Sequence, residues 1–311
     1  MVCGNDPPRK ASGCLELKFS KKVDFWLLQH VRALRLKFCF ARYPHHIEID
    51  VAPPSAGVSR DDVMVFTAAD SVYLGRFLRP FAGSMVAHVP RPRLHVHLYN
   101  AGSNDFALLK SVQQQYPEMQ LTWSHETFSA DDFARRATAS PQQVWKSLYI
   151  CCSRFLAAQT LQKLTGASLL IIDIDVLFNG NIKERFTGDV ACALLLRPDE
   201  RNLSKRTLGG VVFASSSPAG RKFLAHTCGY IERFLAAGFY WFAFDQYALF
   251  RAVQAMPEKE RQTQFSPLTQ RDVSFEFAED ALILFAKGTL KDEEEYSNLA
   301  RAYDQKKAEA S

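Results

Sequence analysis

Asp173 and Asp175 stand one residue apart just beyond the apolar run Ser168–Ile172, where a fully buried strand should leave the core. An unpaired buried carboxylate is costly, so packing alone does not account for such a pair. Alternate residues of a strand share a face, so both acids can point the same way. Two hard oxygen donors suit a divalent cation such as Mg2+ or Mn2+, which can in turn hold a substrate's phosphates. The alternative is a strand end whose acids cap loop amides, although open α/β sheets bind their ligands at such ends.

Other polar residues fall at similar places. Asp70 closes the apolar run Val63–Phe66 and its continuation Thr67–Ala69; there it can accept hydrogen bonds from a ribose or base, or simply cap the next helix. Arg154 lies in an otherwise apolar helical stretch and can pair with a phosphate or with a strand-end carboxylate. Gly209 and Gly210 remove two side chains from a strand, making room for a ligand or another backbone, or marking a bulge. Asp245 follows the aromatic run Tyr240–Phe244, which reads as core or as a sugar-stacking wall. Lys287 and Gly288 follow a buried strand, so the lysine reads as a surface residue or as an ammonium for a leaving diphosphate.

Elements able to position these residues are legible in the pattern. Strands are expected at Val63–Phe66, Arg93–Tyr99, Gln120–Trp123, Ser168–Ile172, Val190–Leu196, Leu208–Ala214 and Ala281–Phe285, with His46–Val51 alternating like an edge strand. Helices are expected over 71–86, 105–115 and 141–164, the last with Ser140 as N-cap and Pro141 at its first position, and from Pro218 and Phe244 onward. Strand–helix alternation with short connections predicts an α/β fold, a mainly parallel sheet with helices on both faces. Residues 1–13 read as disordered, and Pro53–Gly57 as a break. The expected organisation is a basic N-terminal segment (1–57), a main domain (58–290) and a charged helical tail (291–311) exposed to solvent.

The chain of 311 residues suffices for one large α/β domain with an appendage. It has no apolar run near the ~20 residues a membrane-spanning helix requires, and its first residues lack the apolar core of a signal peptide. Seven cysteines without zinc-like spacing read as reduced thiols, so a cytoplasmic protein is expected. Residues 1–45 carry an excess of six positive charges against +5 for the whole chain, so the body is close to neutral and no nucleic-acid partner is expected. The basic segment either packs Phe25–Phe38 against the main domain or makes peripheral contact with an anionic inner membrane face.

Taken in order, the motifs resemble the GT-A nucleotide-sugar transferases, and glycosyltransferase family 8 and its relatives in particular. The likeness runs through Thr67–Tyr73, Cys152–Phe155, Leu170–Asp175, Leu208–Val211 and Asp245–Gln246, over roughly residues 60–288. It implies a Rossmann-like GT-A fold and a nucleotide-diphosphate sugar donor, UDP-linked, with a glycan, lipid-linked or protein acceptor. It further implies Mn2+ or Mg2+ on Asp173 and Asp175, and transfer with retention at the anomeric carbon. By the same likeness Thr67, Ala68, Asp70, Tyr73, Arg154, Asp173, Gly209, Gly210, Lys287 and Gly288 would face the donor, with Asp245 and Gln246 catalytic. Acceptor recognition is expected on the polar loop Arg197–Thr207. Two departures stand out: the last histidine is His226, so the family's C-terminal metal-binding histidine has no counterpart, and Leu208 replaces an asparagine. They leave open a nucleotide-sugar-binding module without turnover. An apolar strand followed by Asp-x-Asp also opens the aspartyl-nucleophile phosphohydrolases, a second alternative.

Overall fold

The structure is a computed structural model that describes residues 48–50, 63–128, 142–237, 243–286 and 288–305, all within the compact unit Cys39–Ser311. Expectations for the basic segment before residue 48, the Pro53–Gly57 break, the Ser140–Pro141 helix start, Tyr240–Phe242 and Lys287 lie outside the described residues.

The chain builds one eight-stranded mixed sheet, in the order β1-β4-β3-β2-β5-β8-β7-β9. Its strands are β1 (Glu48–Asp50), β2 (Val63–Asp70), β3 (Arg93–Tyr99), β4 (Gln120–Glu126), β5 (Ser168–Ile172), β7 (Cys192–Leu196), β8 (Thr207–Ala214) and β9 (Phe265–Pro267). Four pairings are parallel, β2 with β3, β3 with β4, β2 with β5 and β7 with β9. Three are antiparallel, β1 with β4, β5 with β8 and β7 with β8. The expected mainly parallel α/β sheet is therefore present, and Glu48–Asp50 takes the expected edge position. A smaller sheet of three strands joins β10 (Val273–Ser274), β11 (Ile283–Phe285) and β6 (Val176–Phe178). The last apolar strand of the chain thus pairs with the residues that follow Asp175, an association that periodicity does not reveal.

Helices cover both faces, as the unbroken apolar runs of β2 and β5 require. On one face, α1 (Ser71–His88) packs on β2 and β6, and is flanked by α2 (Ser103–Gln115) and α7 (Glu294–Gln305). The core beneath it takes alternate strand residues: Val63 and Val65, Leu94 and Val96, Leu170 and Ile172. On the other face, α3 (Gln142–Thr165) packs on β2, β3 and β5, while α4 (Pro218–Ala237) and α5 (Phe244–Gln254) pack on β8. A short α6 (Glu258–Gln264) leads into β9. The intervening residues Met64, Phe66, Leu169 and Ile171 are buried on that side.

The C-terminal tail corrects an expectation. Residues 294–305 are helical, but α7 is not simply a solvated helix. Tyr296 is buried, and Leu299, Ala300 and Tyr303 lean on the same core; this spacing of three, four and seven residues draws one apolar stripe along the helix. Gly83 of α1 admits that contact, since a Cβ there would sit 2.6 Å from the Tyr303 carbonyl oxygen. The charged residues around the stripe hide it in the sequence.

Candidate functional site

In chain order, β2, β3 and β4 step outward in one direction, after which α3 carries the chain back so that β5 pairs on the other side of β2. The crevice at the carboxyl ends of β2 and β5 is therefore a topological switch point, where open α/β sheets bind ligands. A cleft of about 360 Å³ lies there, lined by Ala68, Asp70, Tyr73, Lys146, Arg154, Asp173 and Asp175 among others.

Asp70 ends β2 and takes the capping role, with a second contact on its other oxygen. Its Oδ1 accepts from the Tyr73 amide at 3.1 Å, capping α1. Its Oδ2 accepts from Lys146 Nζ at 2.8 Å on the cleft side. Burial alone would raise its pKa, but the Lys146 and Tyr73 hydrogen bonds outweigh that and lower it. Lys146, one turn into α3, carries no motif, and sequence reasoning missed it.

Arg154 is held at the cleft by α3, two turns beyond Lys146. Its guanidinium pairs with Asp173 and donates to the Gly209 carbonyl at 2.8 Å and to Asp245 Oδ2 at 3.3 Å. The expected ion pair to a strand-end carboxylate is present, to Asp173, and Arg154 also lines the cleft. Burial would lower its pKa, yet Asp173, Cys151 and Asp245 drive it upward, so the group stays charged. Asp245, in the first turn of α5, is buried; its pKa rises by desolvation despite the opposing pull of Arg154.

The glycine pair is explained twice over. The β7–β8 register jumps, with Leu194 opposite Val212 but Leu195 opposite Leu208, so the glycines occupy a bulge. A Cβ on Gly209 would lie 2.6 Å from Asp245 Oδ2 and 3.0 Å from Arg154 Nη2. One on Gly210 would lie 2.3 Å from the Phe285 ring and 2.8 Å from Asp173 Oδ2. The missing side chains make room for the charged cluster itself.

Asp173 follows β5, its amide donating to the Gly210 carbonyl at 2.9 Å. Asp175 precedes β6 and is buried, with Lys291 Nζ at 3.4 Å from its Oδ2. Burial and the neighbouring Asp173 carboxylate push the Asp175 pKa up to about 6, with Lys291 pulling the other way. Lys291 also donates to the Tyr73 hydroxyl at 2.5 Å and lies over its ring, 4.6 Å from the centroid. It sits in a short 3-10 turn, Gly288–Asp292, opened by Gly288 at φ +67°. Lys291, which no motif singled out, thus brings an ammonium to Asp175, while the expectation for Lys287 falls outside the described residues.

Thr67 and Gln246 stand apart from the cleft lining. Thr67 is fully buried, and its hydroxyl has no hydrogen-bond partner among the described residues. The Gln246 carbonyl accepts from the Thr207 hydroxyl at 2.6 Å; its amide, turned nitrogen-inward, donates to the Thr207 and Ser204 carbonyls at 2.6 and 3.0 Å. Gln246 thereby ties α5 to the start of β8.

Among the described residues, the ion pairs of Asp70, Asp173, Asp175 and Asp245 are with Lys146, Arg154 and Lys291. Among these seven groups the acids outnumber the bases by one, so the cluster suits an added cation. No group of three or more His, Cys, Asp or Glu residues able to hold a metal occurs among the described residues. The carboxylate oxygens of Asp173 and Asp175 are hard donors of the kind Mg2+ and Mn2+ take, and a cation held by two such residues would need further oxygen ligands. Among the described residues no helix is long and apolar enough to cross a membrane.

No protein-family model matches the chain, and no curated protein matches it. Among solved structures it is similar to the bifunctional glycosyltransferase WbbM, with 10% identity over 83% of this chain and 52% of that one, at a TM-score of 0.48. It is similar to mouse xyloside xylosyltransferase 1, with 10% identity over 73% of this chain and 98% of that one, at 0.46. It is also similar to the galactosyltransferase LgtC, with 14% identity over 76% and 95%, at 0.47.

Proposed function

We propose that this chain is a glycosyltransferase that moves a sugar from a nucleotide-diphosphate sugar, UDP-linked, to a glycan, lipid-linked or protein acceptor. The observation that carries this reading is the switch-point cleft itself, lined by Asp70 with Lys146 and by Asp173 with Arg154, and by Asp175, which Lys291 contacts. Glycosyl transfer needs negative charge neutralised on the departing diphosphate. Lys146 on α3 lines the cleft, and Lys291 on the turn after β11 contacts the lining residues Asp175 and Tyr73; each ammonium has donors beyond its carboxylate partner for phosphate oxygens. Asp173 and Asp175 would hold a divalent cation, Mn2+ or Mg2+, which supplies Lewis-acid stabilisation of the leaving diphosphate.

Arg154 pairs with Asp173 and fixes its orientation, and through the Gly209 carbonyl it sets the position of β8 beside the cleft. Asp245 is held behind Gly209 by the same guanidinium, which suits an orienting role better than attack. The ion pair to Arg154 likewise makes Asp173 a weak nucleophile, which disfavours the phosphohydrolase alternative.

The experiment is a thermal-shift panel of UDP, UDP-glucose and UDP-galactose, with and without Mn2+, on the wild type and on Asp175→Ala. Stabilisation by a UDP ligand that is reduced in the variant is expected. No shift with any of them on folded protein would remove the reading.

A further inference from the structure

A second cavity, of about 260 Å³, lies beside the small sheet and is lined by Gln270, Arg271, Ser274, Phe275, Glu276 and Asp280. We infer that it binds the acceptor as a saccharide chain. The inference rests on the transferase reading and assigns that reaction its acceptor class.

Position is the first argument. In the small sheet Phe285 pairs with Val176, and Ser274 with Leu284. Phe275, the residue after β10, therefore continues the row of Phe285 and Val176, and Asp175 immediately precedes Val176. Two strand spacings separate the ends of that row, roughly 10 Å. The Phe275 and Phe285 rings are 5.5 Å apart, and the Phe285 ring lies against Gly210, beside Asp173. The groove and the acidic pair thus share one end of the small sheet, within the span of a short oligosaccharide.

Chemistry is the second. A saccharide presents hydroxyl groups that donate and accept, and C–H faces that pack on aromatic rings. Glu276 and Asp280 accept, Arg271 donates, Gln270 does both, and the half-buried Phe275 supplies an apolar face. Arg271 and Asp280 reach toward each other at 3.6 Å with both side chains exposed, so they are not committed to the interior.

Rigidity is the third. Ser274 Oγ accepts from the Glu276 and Ala278 amides, each at 3.1 Å. Between them Phe277 holds φ at +53°, in a region a bulky residue adopts only when its surroundings impose it. Its ring is pinned 6.1 Å from that of Tyr296. Strained, over-determined loops of this kind concentrate at ligand clamps. The loop Arg197–Thr207, by contrast, is closed on itself: the Arg197 amide donates to the Arg206 carbonyl at 2.7 Å, and Arg206 Nε to the Glu200 carbonyl at 2.7 Å.

The test is an oligosaccharide array probed with the full chain, with UDP and Mn2+ present and absent, using wild type, Phe275→Ala and Glu276→Gln. Glu276 is exposed, so its variant keeps the test valid if Phe275→Ala fails to fold. Binding of arrayed saccharides that drops tenfold or more in either variant, with the UDP thermal shift unchanged, is the expected result. Saccharide binding unchanged in both variants, or no saccharide bound while UDP still shifts the melt, overturns the groove assignment. Groove-dependent saccharide binding without any UDP shift would leave the groove standing and remove the transferase reading.

Discussion

Arg154 Nη2 lies 3.3 Å from Asp245 Oδ2 in a fully buried contact, while the other arm of the same guanidinium holds Asp173. One cation thus spans two carboxylates from elements more than seventy residues apart in sequence, and the gap it crosses is open because Gly209 has no side chain. Removing one partner of a buried ion pair costs about 3–5 kcal/mol, because the other charge is left without compensation. Arg154→Met should therefore destabilise the fold by that amount, and Arg154→Met with Asp245→Leu should recover part of the loss. Urea unfolding of the four-member cycle checks this, and equal midpoints for the wild type and the single Arg154 variant would refute it.

The glycine pair allows a steric test of the same cluster. Gly210→Ala drives a methyl group into the Phe285 ring at 2.3 Å, an overpacking that typically costs about 1–3 kcal/mol. Shrinking the ring with Phe285→Leu in the same chain should relieve part of that cost, giving a favourable coupling in a double-mutant cycle. Strict additivity of the two changes would show that the strand shifts instead, and that the glycine is not there for Phe285.

Much of this architecture is legible before any coordinates. The runs Val63–Phe66 and Ser168–Ile172 read as buried strands because both faces of the sheet are covered, and Asp173, Asp175 and Arg154 stand out as charges in apolar surroundings. Lys146 and Lys291 do not stand out. A lysine in a helix or in a charged tail is the commonest of surface residues, and only the fold-back of the tail onto α1 brings Lys291 to Asp175. The pairing of β11 with β6 is hidden for a similar reason, since strands of three residues carry too little pattern to name a partner more than a hundred residues away. The bulge at Gly209 and Gly210 is suggested by composition, but its cause, room for Asp245 and Phe285, is purely tertiary.

Lys291 should matter to ligand binding more than to stability. It is partly exposed, and its ammonium contacts Asp175 at 3.4 Å and the Tyr73 hydroxyl at 2.5 Å. Lys291→Met should weaken UDP binding about tenfold, equivalent to about 1.4 kcal/mol, with Lys146→Met acting in the same direction from α3. Calorimetric titration of UDP into each variant measures this. Unchanged affinity in both would mean that the diphosphate does not lie between them.

Asp175 makes a pH prediction with an unusual sign. Burial and Asp173 hold its folded-state pKa near 6, above the ordinary 3.8. Between those values the folded state binds more protons than the unfolded state, so this group makes stability fall as pH rises and carries its full penalty above about 6. Asp175→Asn should therefore stabilise the protein by on the order of 1–3 kcal/mol near neutral pH. The gain should fade as pH falls through about 6 and vanish below about 4. A gain independent of pH, or a loss at neutral pH, would show that the acid is not held against its preference. A site residue that is stabilising to remove fits a group retained for binding rather than for folding.

His95 predicts the opposite slope. It is fully buried in β3, its ring nitrogens 2.9 Å from the Thr122 and Ser124 hydroxyls, and burial reinforced by His97 brings its pKa down to about 3. The unfolded chain takes up a proton near 6.5 while the folded chain does not, so the stability contribution of this neutral ring is complete above 6.5 and is lost as pH falls toward 3. At about pH 5 the loss amounts to roughly 2 kcal/mol. The Asp175 effect runs the other way across part of this range, so the informative quantity is the difference between wild type and His95→Asn. That variant sacrifices ring packing against Phe66, whose centroid lies 5.7 Å away, and should be less stable at neutral pH. Its deficit should nevertheless shrink by about 2 kcal/mol between roughly pH 7 and pH 5. Thermal melts at the two pH values decide the matter, and a deficit that stays constant would mean that His95 titrates alike in the folded and unfolded chains.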